Sequence, residues 1–313
     1  MLLIFYLILI LILHNIYLLL WYNDIEKLKE VNKTQFKYIL DGETFEHSAT
    51  IYKTGNPNSK KVIIILSGSF KFSFDIYLQK MVTDLLTIDY IKNKYQIIVY
   101  EKLDKQSFVC TKDVKKYIQH LNNEINIDEL TLFGFSSGGV IASHVMSSLK
   151  TLSCKKKIIT YDTPYQVMDN VLSYKKNTFY RPDYYFNSII KKTYLQHYNY
   201  DEIKDHVNEY VKQDKWNNGA TEFFQLIYKI HNLTQDEFYR LSGFNFDQDD
   251  KTQIIEIYCE NDPIVDRQIS DEYIKNNSKG KIIIRRCKKS IGHCSDMWSP
   301  GFNIISIAII LTS

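Results

Sequence analysis

The stretch Thr131–His144, TLFGFSSGGVIASH, decides how the chain is read. An apolar run ending at Phe135 meets two adjacent serines and two glycines. Val140, Ile141, His144, Val145 and Leu149 then recur at helical spacing. The chain has only 11 glycines in 313 residues, yet Gly134, Gly138 and Gly139 fall within six positions. Backbone freedom is therefore concentrated at this turn, where a strand feeds directly into a helix.

A strand, a tight turn and a helix around Gly134-Phe135-Ser136-Ser137-Gly138 match the setting of a G-x-S-x-G nucleophile elbow. The logic is steric. The central serine occupies a strained backbone conformation, and flanking glycines remove Cβ atoms that would collide with the neighbouring strand and helix. Ser136 is the central residue. Ser137 follows it, where a backbone N–H at a helix N-terminus favours an oxyanion. Two other readings compete: a phosphate-binding turn and a purely structural one. Neither G-x-G-x-x-G nor G-x-x-x-x-G-K-[ST] occurs here, which disfavours the first.

Working outward, KVIIIL reads as a buried strand, and YQIIVYEKL, DELTLFGF and KKKIITY read as further strands, as do TQIIEIYC and KIIIRRC later in the chain. Helical patterns fall between them, at DVKKYIQHLNNE, after the elbow, and from about Asp266 to Asn277. This alternation predicts an α/β fold with a mostly parallel, doubly wound sheet. The pattern breaks over residues 165–250, which are polar, aromatic and helix-like. The expected division is a core over 49–164 and 251–313, interrupted by a helical insertion at 165–250. Phe302–Leu311 is apolar but too short to span a bilayer, and reads as a segment packed on the sheet.

An elbow serine needs an acid and a histidine later in the chain, in that order. Asp262 lies just past a late strand in EIYCENDPIV, and His293 lies in SIGHCSDMW after the final strand. In these roles Asp262 orients the imidazole, and His293 takes the proton of Ser136 and passes it to the leaving group. Asp162, after the strand that follows the elbow helix, is an alternative acid; its other reading is a turn residue before Thr163-Pro164. His144 sits on the apolar face of the elbow helix, while His197, His206 and His231 lie in the insertion. None pairs at H-x-x-x-H spacing, so no metal is expected, and no residue pattern asks for a cofactor.

Taken with the loop Ser67-Gly68-Ser69-Phe70 after the strand VIIIL, the Ser136, Asp262 and His293 set resembles the α/β-hydrolase fold family. The resemblance covers about Ala49 to Leu311 outside the insertion. It implies a serine hydrolase acting through an acyl-enzyme, with backbone N–H groups of Ser69 and Ser137 as the oxyanion hole. Ser67 departs from the histidine usual in that loop. The insertion sits where such hydrolases carry a cap or lid, and its aromatics either line an apolar acyl pocket or pack a helical subdomain. An ester-like substrate, lipid-like or otherwise apolar, is the leading expectation. Peptidase, thioesterase and acyltransferase activities use the same triad. A catalytically silent protein that binds a ligand through the cap is the reading from another class.

The first 22 residues are apolar except for His14 and Asn15, and about 20 apolar residues span a bilayer. Neither a basic start nor a small-residue cleavage site is present, which favours a single-pass anchor over a cleaved signal peptide. Residues 23–48 then read as a helical or extended stalk. Lys27, Lys29, Lys33 and Lys37 follow the apolar segment, which places the body of the protein on the cytosolic side of the membrane. A net charge of +3 gives no basic field for nucleic acid. Five cysteines without C-x-x-C spacing argue against a zinc site and a disulfide scaffold.

Overall fold

The computed structural model describes residues 6, 9–10, 12–13, 33–40, 43–66, 68, 82–102, 111–167, 169–170, 234–260, 262, 265–281 and 283–288. Its strands are β1 (Lys33–Leu40), β2 (Glu43–Gly55), β3 (Lys61–Leu66), β4 (Gln96–Lys102), β5 (Glu129–Phe135), β6 (Lys155–Tyr161), β7 (Gln253–Cys259) and β8 (Ile283–Lys288). Its helices are α1 (Asp89–Lys94), α2 (Thr111–Ile125), α3 (Ser137–Ser148), α4 (Gln235–Ser242) and α5 (Arg267–Asn277).

The strands form one eight-stranded sheet in the order β1-β2-β4-β3-β5-β6-β7-β8. β2 runs antiparallel to both β1 and β4, and every pairing from β4 through to β8 is parallel. The continuous apolar runs in β3 and β5 have a simple cause: both faces of the parallel sheet are covered, so alternate residues are all buried. Val62, Ile64, Leu130 and Leu132 join one core with Tyr117 and Leu121 of α2 and Val145 and Met146 of α3. Ile63, Ile65, Phe133 and Phe135 join the other, with Val82, Leu85 and Ile91.

Two boundaries differ from the sequence reading. Lys33–Leu40 and residues 43–48, assigned to a stalk, lie in the sheet instead: β1 pairs with β2 along its whole length, and β2 continues onto β4. The reason is visible in retrospect. Phe36, Tyr38, Ile39 and Leu40 make a short apolar and aromatic run broken by Lys37, and Asp41-Gly42 separates it from the next run, a strong hairpin signal. The second boundary concerns the ends of the insertion. Tyr165, Phe244 and Phe246 belong to the main core rather than to a separate cap, with Tyr165 and Phe244 ring centroids 4.8 Å apart. Residues 171–233, with most of the aromatic stripes, lie outside the described residues.

Among the described residues no helix is long and apolar enough to cross a membrane. Of residues 1–22, Tyr6, Leu9, Ile10, Ile12 and Leu13 are described; all are helical and exposed. The rest of the expected anchor lies outside the described residues, as does Phe302–Leu311.

Candidate active site

β5 delivers Ser136 to the turn with φ 50° and ψ −129°. A residue with a Cβ seldom takes positive φ, and holding one there stores about 1–3 kcal/mol. The surroundings over-determine the conformation. The Ser136 N–H donates to Tyr161 O at 2.9 Å, extending the β5–β6 ladder, while Ser136 O accepts from Gly139 N–H at 3.1 Å to start α3. The glycines make the turn sterically possible. A Cβ on Gly134 would fall on the backbone of Gly138 and Gly139, and one on Gly139 would fall on the Thr163 side chain.

The hydroxyl of Ser136 has an uncommon position. A serine in front of a helix ordinarily caps it by accepting from a backbone N–H in the first turn. Ser136 makes no such bond, so the geometry that strains its backbone also keeps the hydroxyl off its own helix. Ser137 is the first residue of α3, and both serines are nearly buried, at 5% and 4% exposed. Gly68, two residues past the end of β3, lies against Ser136. A Cβ on Gly68 would lie 2.8 Å from Ser136 Cβ and 3.4 Å from Ser136 Oγ, so only a glycine can sit so close to the serine. Ser67 and Ser69, on either side, lie outside the described residues.

The two candidate acids follow β6 and β7, the next strands across the sheet. Asp162 is 1% exposed and has positive φ. Its N–H donates to Ile257 O at 2.9 Å, and its carboxylate accepts from Cys259 N–H at 2.6 Å. It therefore straps the end of β6 to β7. Asp262 is only partly buried, in the connection between β7 and α5, and accepts from Val265 N–H at 2.9 Å. That connection is held at its far end as well. Asp266 caps α5 through Gln268 and Ile269, and its own N–H donates to the buried Asn170 at 2.7 Å. Ser136, Asp162 and Asp262 thus share the C-terminal edge of the parallel sheet, where α/β folds bind ligands. His293 lies outside the described residues.

The sequence reading did not foresee how α3 is docked. Residues 243–248 run alongside it and bond to its polar side: His144 Nε2–H donates to Gly243 O at 2.8 Å, and Ser147 donates to Asp247 O at 2.7 Å. Asn245 N–H donates to Ser143 Oγ, and Gln248 donates to Ser143 O. The signal was present as Ser143, His144 and Ser147 on a helix with little amphipathicity; buried polar groups need partners. Burial holds the His144 pKa below its ordinary value, despite the opposing pull of the Gly243 carbonyl. Among the described residues no group of three His, Cys, Asp or Glu is arranged to hold a metal ion.

No protein-family model matches the sequence, and no curated protein matches it significantly. Solved structures do resemble the fold. The esterase RhEst1 from Rhodococcus sp. ECU1013 aligns over 90% of this chain and 98% of its own, at 12% identity and a TM-score of 0.52. Naproxen esterase (carboxylesterase NP) from Bacillus subtilis aligns over 93% and 95%, at 13% identity and TM-score 0.48. Proline iminopeptidase from Mycobacterium smegmatis aligns over 89% and 98%, at 9% identity and TM-score 0.48.

Proposed function

Starting from the α/β-hydrolase fold that this chain has, we propose that it is a serine hydrolase of ester-like substrates with Ser136 as its nucleophile. The observation that carries the reading is Ser136 itself: a strained, glycine-enclosed serine whose hydroxyl does not cap the helix it precedes. The fold's likeness to the esterase RhEst1 supports an ester as the substrate class.

In this mechanism Ser136 Oγ attacks the carbonyl carbon while His293 removes its proton. The Ser137 N–H, at the positive end of α3, and the Ser69 N–H receive the developing oxyanion. Collapse of the tetrahedral adduct breaks the bond to the leaving alcohol, which takes the proton from His293. Water, activated by the same imidazole, then releases the acid and restores the serine. Asp262 orients the imidazole and stabilises its protonated form. It suits this role better than Asp162, whose buried carboxylate already ties β6 to β7.

The apolar first 22 residues and the aromatic insertion favour a substrate with a long or apolar acyl group, acted on by an enzyme tethered to a membrane with its body on the cytosolic side. Hydrolysis of p-nitrophenyl esters from acetate to laurate tests the acyl preference; fastest turnover of acetate would refute it. The central claim is tested with a fluorophosphonate probe. Labelling of the wild type that disappears in Ser136→Ala supports the nucleophile. A folded wild type that resists labelling supports instead a silent hydrolase-like binding protein, the reading to which Ser67, in place of the usual histidine, lends some weight.

A further inference from the structure

The connection that carries Asp262 runs from the end of β7 at Cys259 to the start of α5 at Arg267, and both its ends are tied to one stretch of chain just after β6. At the near end the Cys259 N–H donates to the Asp162 carboxylate; at the far end the Asp266 N–H donates to Asn170 Oδ1 at 2.7 Å. The same stretch touches the nucleophile's helix. Thr163 lies against Gly139 in the first turn of α3, and Tyr161 O, at the end of β6, accepts from the Ser136 N–H. Asn170 is 2% exposed, and its own N–H donates to Gln166 O at 3.0 Å. Gln166, also buried, donates to Tyr239 O and accepts from Ser242 Oγ. It pairs with Gly243, whose carbonyl accepts from His144 of α3. Hydrogen bonds thus lead from the elbow helix through Gln166 and Asn170 to Asp266.

Given Ser136, Asp262 and His293 in the roles proposed above, on which this rests, we infer that Asn170 is a positioning residue. By fixing the Asp266 end of the β7–α5 connection to the frame that holds Ser136, it sets where Asp262 stands for the imidazole. The bond that the Asp262 carboxylate accepts from Val265 N–H, at 2.9 Å, is internal to that connection and shapes it without locating it. The Asn170 bond reaches outside it. A buried amide is costly unless its hydrogen bonds are made, so an apolar side chain would suit this place better if filling space were the only task. Placement matters because a displacement of about 1 Å in a catalytic group can cost roughly 10²-fold in rate.

The readout is the second-order rate constant with which a fluorophosphonate labels Ser136 in the full-length protein. Molecules that fail to fold lower the labelled amplitude but not this constant. Asn170→Ala should lower it by about 10- to 100-fold. In an Asp262→Asn background the same substitution should change it by less than about twofold, because the group it acts through is already disabled. Equal loss in both backgrounds, or no loss in either, overturns the role of Asn170. If Asn170→Ala does not fold, Asn170→Ser, whose shorter side chain withdraws the acceptor from Asp266, takes its place with the same expectation. Asp262→Asn alone separates the two levels of the proposal. Unchanged labelling there refutes Asp262 as the acid and Asn170 with it. A large loss there, with equal further loss from Asn170→Ala in both backgrounds, refutes Asn170 alone.

Discussion

Replacing Ser136 with alanine removes the hydroxyl but keeps the Cβ, so the strain at φ 50° remains. The expected outcome is loss of turnover by at least roughly 10³-fold with little change in the melting temperature. Ser136→Gly is equally inactive but relieves the strain, and should be more stable than Ser136→Ala by about 1 kcal/mol in urea titration. Ser137→Ala keeps the backbone N–H and should retain much of the activity; equal loss from both serines would refute these roles. The two aspartates separate in the same way. Asp262→Asn should lower kcat by roughly 10³–10⁴-fold in a protein that melts normally. Asp162→Asn weakens the strap to Cys259 N–H and should chiefly lower the melting temperature. Of these features, the strained turn at Ser136 was legible in the sequence because its determinants are local: the glycines that permit the turn are its near neighbours. The approach of Gly68 was not, since it depends on β3 lying beside β5, a contact that sequence spacing does not reveal.

The elbow helix is positioned from both ends of its environment. Gly134 presses against its first turn, and the 243–248 segment bonds along its polar side. Gly134→Ala places a methyl on the backbone of Gly138, which cannot move aside as a flexible side chain would; destabilisation of about 1–3 kcal/mol is expected, with activity falling in the protein that still folds. His144 gives a pH signature. Its folded-state pKa is lowered by burial, so below its ordinary value of 6.5 the unfolded chain takes up a proton that the folded one refuses. Unfolding then becomes easier as pH falls from about 6.5 toward the folded pKa, and the effect levels off below it. His144→Gln keeps a donor for Gly243 O but does not titrate. Its melting temperature should therefore fall less steeply than the wild type's between pH 7 and 5. The parallel strands were readable because burial on both faces writes an uninterrupted apolar run. β1 was not, because its short apolar run among lysines suits an edge strand and equally a solvated linker; pairing with β2 settles it. The docking of α3 was hidden for a similar reason, since its partner, residues 243–248, lies about 100 residues away at the end of the stretch read as an insertion.

Across the whole molecule the strained serine lies at the C-terminal ends of the parallel strands, while Lys61, Lys155, Lys156 and Lys157 lie at or near the starts of β3 and β6. Between them, on the α5 side, lies an ion cluster. Glu256 is fully buried, 2.8 Å from Arg267 and 2.7 Å from Arg285; both arginines also approach Asp271 and cover the Tyr258 ring. It ties β7 to β8 and to α5. Glu256→Gln leaves two guanidinium groups short of a charge partner and should destabilise the fold by about 3 kcal/mol in chemical denaturation, since breaking a buried pair is strongly unfavourable. The β1–β2 hairpin at the far edge determines where the polypeptide can be shortened. Residues before Lys33 lie upstream of the paired register, whereas Glu43–Tyr52 of β2 have β1 as their outer neighbour. A truncated version starting just ahead of Lys33 keeps all eight strands. One starting at Ala49, the boundary suggested by the sequence alone, strips β1 and leaves the rest of β2 as a bare rim open to edge-to-edge association. The difference between a dispersed and an aggregating recombinant product therefore rests on some sixteen residues that look, on paper, like dispensable tether.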